Sequence, residues 1–207
     1  MLLKVGKYVV LIIAAGLIAY NSVYIKKLSE LRSAEVKPFN AKEYARDYLY
    51  KKLPSSAGKA IEINELLAQL ETNPLSAFSK YSHSLSEGDS KYFLVSGTGT
   101  IAEISDEYIF LKSKTAANVK IATEYIVGNT ARDASGLISM DEFGNSMDIN
   151  TVSEEINKLI KTEIIPPVKA KAKKGDLIAF KGCIELSKSD VKLDNIEIIP
   201  VFLTIKN

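Results

Sequence analysis

The sequence is short of the residues on which many active sites and disulfide frameworks are built. Its 207 residues contain one cysteine, one histidine and no tryptophan. A lone cysteine, Cys183, excludes an internal disulfide, and a lone histidine, His83, excludes a zinc site built on two imidazoles. Cys183 falls within a predicted strand, which favours a buried and inert thiol, whereas His83 falls in a polar stretch that favours an exposed side chain. The absence of tryptophan weakens a sugar-stacking surface.

Charge of one sign is not in excess, and this narrows the range of partners. There are 27 basic and 25 acidic residues, which give a net charge of +2. A nucleic-acid-binding domain needs a basic stripe, so we expect no nucleic-acid partner. The densest basic stretch, Lys169–Lys174, is interpreted as a solvated loop. The chain also lacks a phosphate-binding glycine loop and a G-x-S-x-G nucleophile motif.

One long run carries no charged side chain. It is Tyr8–Ile25, which lies between Lys7 and Lys26. About 18 helical residues span about 27 Å, close to the ~30 Å hydrocarbon core of a bilayer. We predict a transmembrane anchor over residues 1–27, and a cleaved signal peptide is the alternative. No cysteine of a lipid-attachment motif lies nearby, and lysines on both flanks leave the membrane orientation open.

The rest of the chain divides into three parts. Residues 28–38 are polar and predict a tether, 39–81 predict a helical segment, and 90–207 predict a β-domain. The β-domain has three strands, a helix and two strands, which is the element order of an OB-fold. We therefore predict a mainly β fold with helices, a five-stranded OB-fold-like barrel preceded by a transmembrane helix and a small helical segment. The predicted strands are a long one from Tyr92, then Tyr108–Leu111, Val119–Val127, Leu177–Leu186 and Ile196–Ile205.

Two glycines predict the shape of the first strand. Gly97 and Gly99 lie on the same face as Phe93, Val95 and Ile101. Two positions without a side chain on one face suit a sharply coiled strand in a small barrel.

A capping signal predicts the helix that interrupts the barrel. Thr151 and Glu154 have the spacing of a capping box, and Pro166-Pro167 is a stop signal, so the helix should cover Val152–Ile164. Its buried face should comprise Val152, Ile156, Leu159, Ile160 and Ile164.

The densest polar cluster is Gly128–Gly136, between the third strand and this helix. In one interpretation Arg132 offers a planar fork to a carboxylate, phosphate or sugar, and Asn129, Asp133 and Ser135 add polar contacts. These four are the candidate binding residues. In the alternative, Arg132 pairs with a local carboxylate and the short polar side chains cap nearby amides. Either way, Arg132 should form a charge-assisted hydrogen bond inside the loop. If the loop is structural, Arg132→Ala and Arg132→Lys should both cost roughly 1–3 kcal/mol.

The same cluster imitates half of a calcium-binding EF-hand loop. If Gly136 is position six, Asp133, Ser135 and Glu142 take ligand positions three, five and twelve. Position one would then be Ala131, which has no side-chain oxygen. We therefore predict no metal site.

Six segments carry a family resemblance. Together they resemble a bacterial domain-of-unknown-function family of predicted periplasmic lipoproteins, and the Gly-Asn-x-x-Arg-Asp-x-Ser-Gly pattern is the most specific part. The segments are Tyr24–Leu28, Lys91–Gly99, Gly128–Gly136, Asp141–Phe143, Ser153–Asn157 and Phe180–Glu185.

The resemblance implies an OB-fold, export and attachment to the membrane. It also implies that the genes of family members often lie beside those of ribose-type sugar ABC transporters. A permease or a substrate-binding protein is therefore the expected partner. It supplies no catalytic residue and no cofactor. The chain departs from the family in having no lipid-attachment cysteine, which leaves attachment to Tyr8–Ile25.

Three hypotheses follow. The first is a non-enzymatic accessory protein, anchored in the bacterial inner membrane by one helix, with its C-terminal domain on the extracytoplasmic side. The second is a module that binds a small saccharide or an anion at Gly128–Gly136. The third is a hydrolase that uses His83 or a carboxylate pair, for which the sequence offers no positioned partner. The oligomeric state stays open.

Overall fold

A computed structural model of the protein describes residues 39–55, 60–112 and 118–206, together with Gly6. The chain divides into two units, Met1–Phe39 and Asn40–Asn207. The predicted anchor, Tyr8–Ile25, and the predicted tether lie outside the described residues. Within the described residues, no helix is both long enough and apolar enough to cross a membrane.

The second unit begins with a continuous helical stretch. Helix α1 (Ala41–Asp47) passes into a π-helical turn (Tyr48–Lys52) and then into α2 (Leu53–Ser55). Asn40 caps the first turn, because its Oδ1 accepts the Glu43 N–H at 3.1 Å.

Two more helices complete the segment that precedes the barrel. They are α3 (Ile63–Thr72), which follows the short strand β1 (Ile61–Glu62), and α4 (Pro74–Tyr81), which leads into β2 (Ser82–His83). Asn73 separates the two helices and also caps α4, where its Oδ1 accepts the Ser76 N–H at 3.1 Å.

The described β-domain is a closed barrel of five strands, as the element order predicted. Each strand pairs with its neighbours in the order β3-β4-β5-β7-β6, and β6 returns to β3. All pairs are antiparallel except β5 with β7. The strands are β3 (Ser90–Ile104), β4 (Tyr108–Leu111), β5 (Asn118–Ala122), β6 (Leu177–Ser187) and β7 (Asn195–Lys206).

The long strand β3 changes partner along its length. Residues from Ser90 to Thr100 pair with β6, and residues from Ile101 pair with β4. The predicted glycines lie where the barrel wall is tight. A Cβ atom on Gly97 would lie 2.8 Å from the Phe180 ring, and one on Gly99 would lie 3.1 Å from Leu111.

The third barrel strand is shorter than predicted. It was expected to continue to Val127, but β5 ends at Ala122, and Val127 is 71% exposed. The short partner strand β4 explains the difference. Its pairing with β5 stops at Tyr108 and Ala122, and the next N–H, that of Thr123, donates to the Glu107 carbonyl at 2.8 Å.

The predicted start of the barrel helix at Val152 was wrong. After the four-residue helix α5 (Thr130–Asp133) and a 3₁₀ turn, α6 runs from Ser146 to Leu159. Asn145 is the true cap, since its Oδ1 accepts the Asp148 N–H at 2.9 Å. Thr151 lies inside the helix and donates its hydroxyl to the Met147 carbonyl.

The predicted end of this helix was also wrong. A π-helical turn (Ile160–Ile164) follows α6, and α7 (Ile165–Lys169) continues through both prolines. A new helical turn begins there, and its first N–H groups need no intrahelical acceptor, so Pro166 and Pro167 are tolerated. The predicted buried face is confirmed except for Ile164, which is only partly buried. The buried members are Val152, Ile156, Leu159 and Ile160.

Candidate functional site

The loop singled out by the sequence is closed by two glycines with positive φ. Gly128 has a φ of 79° and Gly136 a φ of 61°. A Cβ atom on Gly136 would lie 2.4 Å from His83 Nδ1, while the same atom on Gly128 would meet nothing within 4 Å. Gly136 therefore satisfies both a backbone and a packing requirement.

Arg132 points into the protein. It is 6% exposed and binds both carboxylate oxygens of the next residue through one edge of its guanidinium group. Nε donates to Asp133 Oδ1 at 2.5 Å and Nη2 to Asp133 Oδ2 at 3.2 Å, while Nη1 donates to Ser153 Oγ at 3.0 Å. The predicted charge-assisted bond inside the loop is confirmed, and it consumes the fork that a ligand would need.

The other candidate residues surround this pair. Asp133 is 3% exposed, and its Oδ2 also lies 3.4 Å from the Leu85 N–H. Ser135 is 1% exposed and accepts the Leu137 N–H at 3.2 Å. Asn129 alone is exposed, although its Oδ1 lies 3.3 Å from Ser153 Oγ. The candidates do come together, but three of the four are covered by protein.

Tyr48 is the member of this network that the sequence interpretation missed. Its ring is fully buried, and its hydroxyl lies 2.9 Å from both the Ala131 carbonyl and Ser135 Oγ. Burial raises the pKa of the Tyr48 phenol, so it is a neutral hydrogen-bonding group. Tyr48 precedes Ser135 by 87 positions, and no local motif signals such a contact.

Two further tethers fix the start of the loop. The Thr130 hydroxyl lies 3.3 Å from Glu185 Oε2 on β6, and Asn157 Nδ2 on α6 donates to the Gly128 carbonyl at 2.9 Å. Together with Tyr48 they join the loop to three neighbouring elements. This geometry favours the structural interpretation, and binding at the loop stays a prediction.

The oxygens of the EF-hand-like pattern are committed to other partners. Asp133 binds Arg132, and Glu142 accepts hydrogen bonds from Tyr44 at 2.8 Å and Lys52 at 3.2 Å. Burial by itself raises the pKa of Glu142. The Ser139 N–H and the Tyr44 and Lys52 side chains outweigh this effect and hold that pKa below its usual range. Within residues 39–55, 60–112 and 118–206, no three His, Cys, Asp or Glu side chains are grouped to hold a metal ion.

The two scarce residues are placed as their sequence contexts indicated. Cys183 is fully buried, and burial raises the pKa of its thiol, so it is a poor nucleophile. His83 is exposed, pairs with Tyr92 through β2, and packs on Gly136.

The structure reveals a second feature, an apolar groove of about 430 Å³ that no sequence motif announced. It lies between the helical stretch α1–α2, helix α7 and the outer face of β3, β6 and β7. Its polar members are Tyr50, Glu163 and Lys181. Its apolar walls include Leu49, Leu53, Leu94, Ile164, Val168 and Val201.

One edge of the groove is already neutralised. Glu163 receives Arg46 Nη1 at 2.6 Å and Nη2 at 3.2 Å, and the Tyr50 hydroxyl at 2.9 Å. These contacts hold the pKa of Glu163 below its usual range. The other edge differs, because no carboxylate of the described residues pairs with Lys181.

Comparison with known proteins identifies the family. A family profile described as predicted periplasmic lipoprotein (DUF2291) matches residues 13–204. The chain belongs to this family. The resemblance stated from the sequence is thus confirmed, and the family description fits a domain outside the cytoplasm.

A solved structure confirms the fold of this DUF2291 member. An OB-fold protein from Thermotoga maritima shares 27% sequence identity with it, with a TM-score of 0.73. The similarity covers 82% of this chain and 100% of that chain. No curated protein matches the chain significantly.

Proposed function

We propose that the protein is a non-catalytic accessory protein of a sugar ABC transport system, held at the outer face of the inner membrane by Tyr8–Ile25. The observation that carries the proposal is the family match over residues 13–204, since that family consists of predicted periplasmic lipoproteins. The uncharged run supplies a means of attachment that needs no lipid. The transport association rests on the gene neighbourhood implied by the resemblance.

The burial of three reactive side chains supports a role without catalysis. Arg132 and Asp133 neutralise each other in the interior, and Cys183 is fully buried. General acid–base or nucleophilic catalysis needs a reactive group that substrate can reach and a positioned partner for it. These three side chains lack such access.

Affinity purification tests the proposal. The full-length chain, tagged after Asn207, should recover a permease or a substrate-binding protein from membranes solubilised in a gentle detergent. The control carries residues 1–38 fused to an unrelated domain, because the anchor alone would then account for any partner that both proteins recover. Recovery of no transporter component above this control would overturn the proposal.

The competing hypothesis places a saccharide or an anion at Gly128–Gly136. The guanidinium group of Arg132 argues against this hypothesis, because it points inward and is bonded to Asp133. A thermal-shift panel of pentoses, hexoses and phosphate tests it directly, because a ligand at a hundred times its dissociation constant adds about 2.7 kcal/mol of stability. A shift that Asn129→Ala abolishes would favour this hypothesis over the structural role.

A further inference from the structure

The groove continues along the outer face of the barrel into a second cavity. Ser96, Lys181 and Phe202 are aligned in one row across β3, β6 and β7. Lys181 and Phe202 line both the apolar groove and an adjoining cavity of about 340 Å³, which also contains Ser96 and Thr98. An apolar groove and a smaller cavity with two hydroxyl side chains therefore adjoin at Lys181 and Phe202.

We propose that this double cavity binds a single-chain amphiphile with a carboxylate head group, that is, a molecule of the fatty-acid class. The hydrocarbon chain lies in the apolar groove. The carboxylate lies against Lys181, within reach of the hydroxyls of Ser96 and Thr98. The proposal goes beyond the transport role and does not depend on it.

The size and the lining of the groove match the hydrocarbon chain of a fatty acid. A volume of about 430 Å³ lies in the range of about 300–1,000 Å³ that is usual for small-molecule pockets. Apolar side chains from six different elements line it, and two aromatic side chains, Tyr50 and Phe202, are 44% and 50% exposed at its rim. An acyl chain would cover this surface, and the release of water would favour binding.

The charges select the head group. The carboxylate of Glu163 is satisfied by Arg46 and Tyr50, whereas Lys181 pairs with no acidic side chain of the described residues. The nearby carboxylate of Glu62 is turned to the start of α3, where its Oε2 accepts the Asn64 and Glu65 N–H groups at 2.8 and 3.0 Å. Among the residues that the structure describes, the double cavity thus presents one uncompensated positive charge, which an anionic head group complements.

Photo-crosslinking of the full-length protein in its native membranes tests the proposal. The probe is palmitate with a diazirine in the middle of the chain, and labelled peptides are mapped by mass spectrometry. We expect label in residues 49–54, 163–168 and 199–203, and we expect excess unlabelled palmitate to suppress it. Lys181→Gln should reduce this label about tenfold, the effect of losing one charge-assisted hydrogen bond. Lys174→Gln, which removes an exposed lysine outside both cavities, should leave it unchanged.

Two further probes test the role of the carboxylate and distinguish a free fatty acid from a phospholipid as the ligand. The methyl ester of the probe should label the groove weakly and without dependence on Lys181. A diazirine-bearing phosphatidylglycerol that labels the same peptides as strongly as palmitate would overturn the single-chain assignment. The proposal is also overturned if the palmitate label misses these peptides, or if it resists both competition and Lys181→Gln in a variant that melts like the wild type. Because no transporter component takes part, failure of the transport role would leave this result unaffected.

Discussion

The loop Gly128–Gly136 and the apolar groove differ in opposite ways. The loop holds the candidate binding residues, yet Arg132 and Asp133 are buried and bonded to each other. The groove is built from apolar residues of no recognisable motif, yet it is open, and the lysine at its edge pairs with no carboxylate of the described residues. Polar density in a sequence therefore does not mark a binding site when the polar groups satisfy one another. An open cavity with one unsatisfied charge is the better indicator.

The largest expected effect comes from breaking the buried ion pair. Arg132→Ala should lower the free energy of unfolding by about 3–5 kcal/mol, because it leaves the Asp133 carboxylate buried without its partner. This exceeds the expectation from sequence, which could not include the burial of both groups. Arg132→Lys should behave more like Arg132→Ala than like the wild type, since an ammonium group cannot reproduce the bidentate contact with Asp133. Urea unfolding measures all three proteins.

Arg46→Ala is the matched control for this experiment. Its partnership with Glu163 has the same chemistry, but the two side chains are 48% and 35% exposed. We expect a much smaller loss than for Arg132→Ala, because solvent screens an exposed ion pair. Equal losses for Arg46 and Arg132 would contradict the distinction between a closed loop and an open groove.

The glycines at the ends of the loop should give the next largest difference. Gly136→Ala forces an alanine into a left-handed conformation and against the His83 ring, which should cost about 2–4 kcal/mol. Gly128→Ala has the same backbone problem but open space around it, so about 1–2 kcal/mol is expected. Thermal unfolding of the pair measures the difference. Similar values for both would show that His83 moves aside at little cost.

Two tyrosines provide a finer comparison. Tyr48→Phe removes a buried hydroxyl from the Ala131 carbonyl and Ser135, and should cost about 1–3 kcal/mol. Tyr50→Phe removes a hydroxyl from an exposed contact with Glu163 and should change stability by less than about 0.5 kcal/mol. Chemical denaturation of both variants decides the matter. A neutral Tyr48→Phe would mean that the loop is held chiefly by its ion pair.

The smallest effect on stability is expected in the groove. Phe202→Ser removes a half-exposed ring and should change the free energy of unfolding by about 0.5 kcal/mol or less. The same change should weaken palmitate labelling, because the Phe202 ring should cover part of the acyl chain in the groove. A variant that loses stability but keeps its label would reverse the roles assigned to the two regions.

Much of the fold followed from local patterns. The order of strands and helix predicted the OB-fold, and the paired glycines of β3 fell where the barrel wall is tight. Element ends were less predictable. Thr151 and Asn145 both resemble helix caps, and burial of Ile149 in the extra turn accompanies the earlier cap. Pro166-Pro167 resembled a stop signal, yet a π-helical turn placed it where a new helix begins.

The sequence by itself determined the barrel and one contact of the candidate site. The Arg132–Asp133 pair joins adjacent residues, so it needs no long-range information. Tertiary structure decided the direction of that pair, because Tyr48, Ser153 and Leu85, from distant parts of the chain, each contact one of its two residues. It also created the groove, whose walls range from Leu49 to Leu203 and share no local pattern. Backbone periodicity acts between near neighbours, whereas a cavity forms only where separate elements fail to fill the space between them.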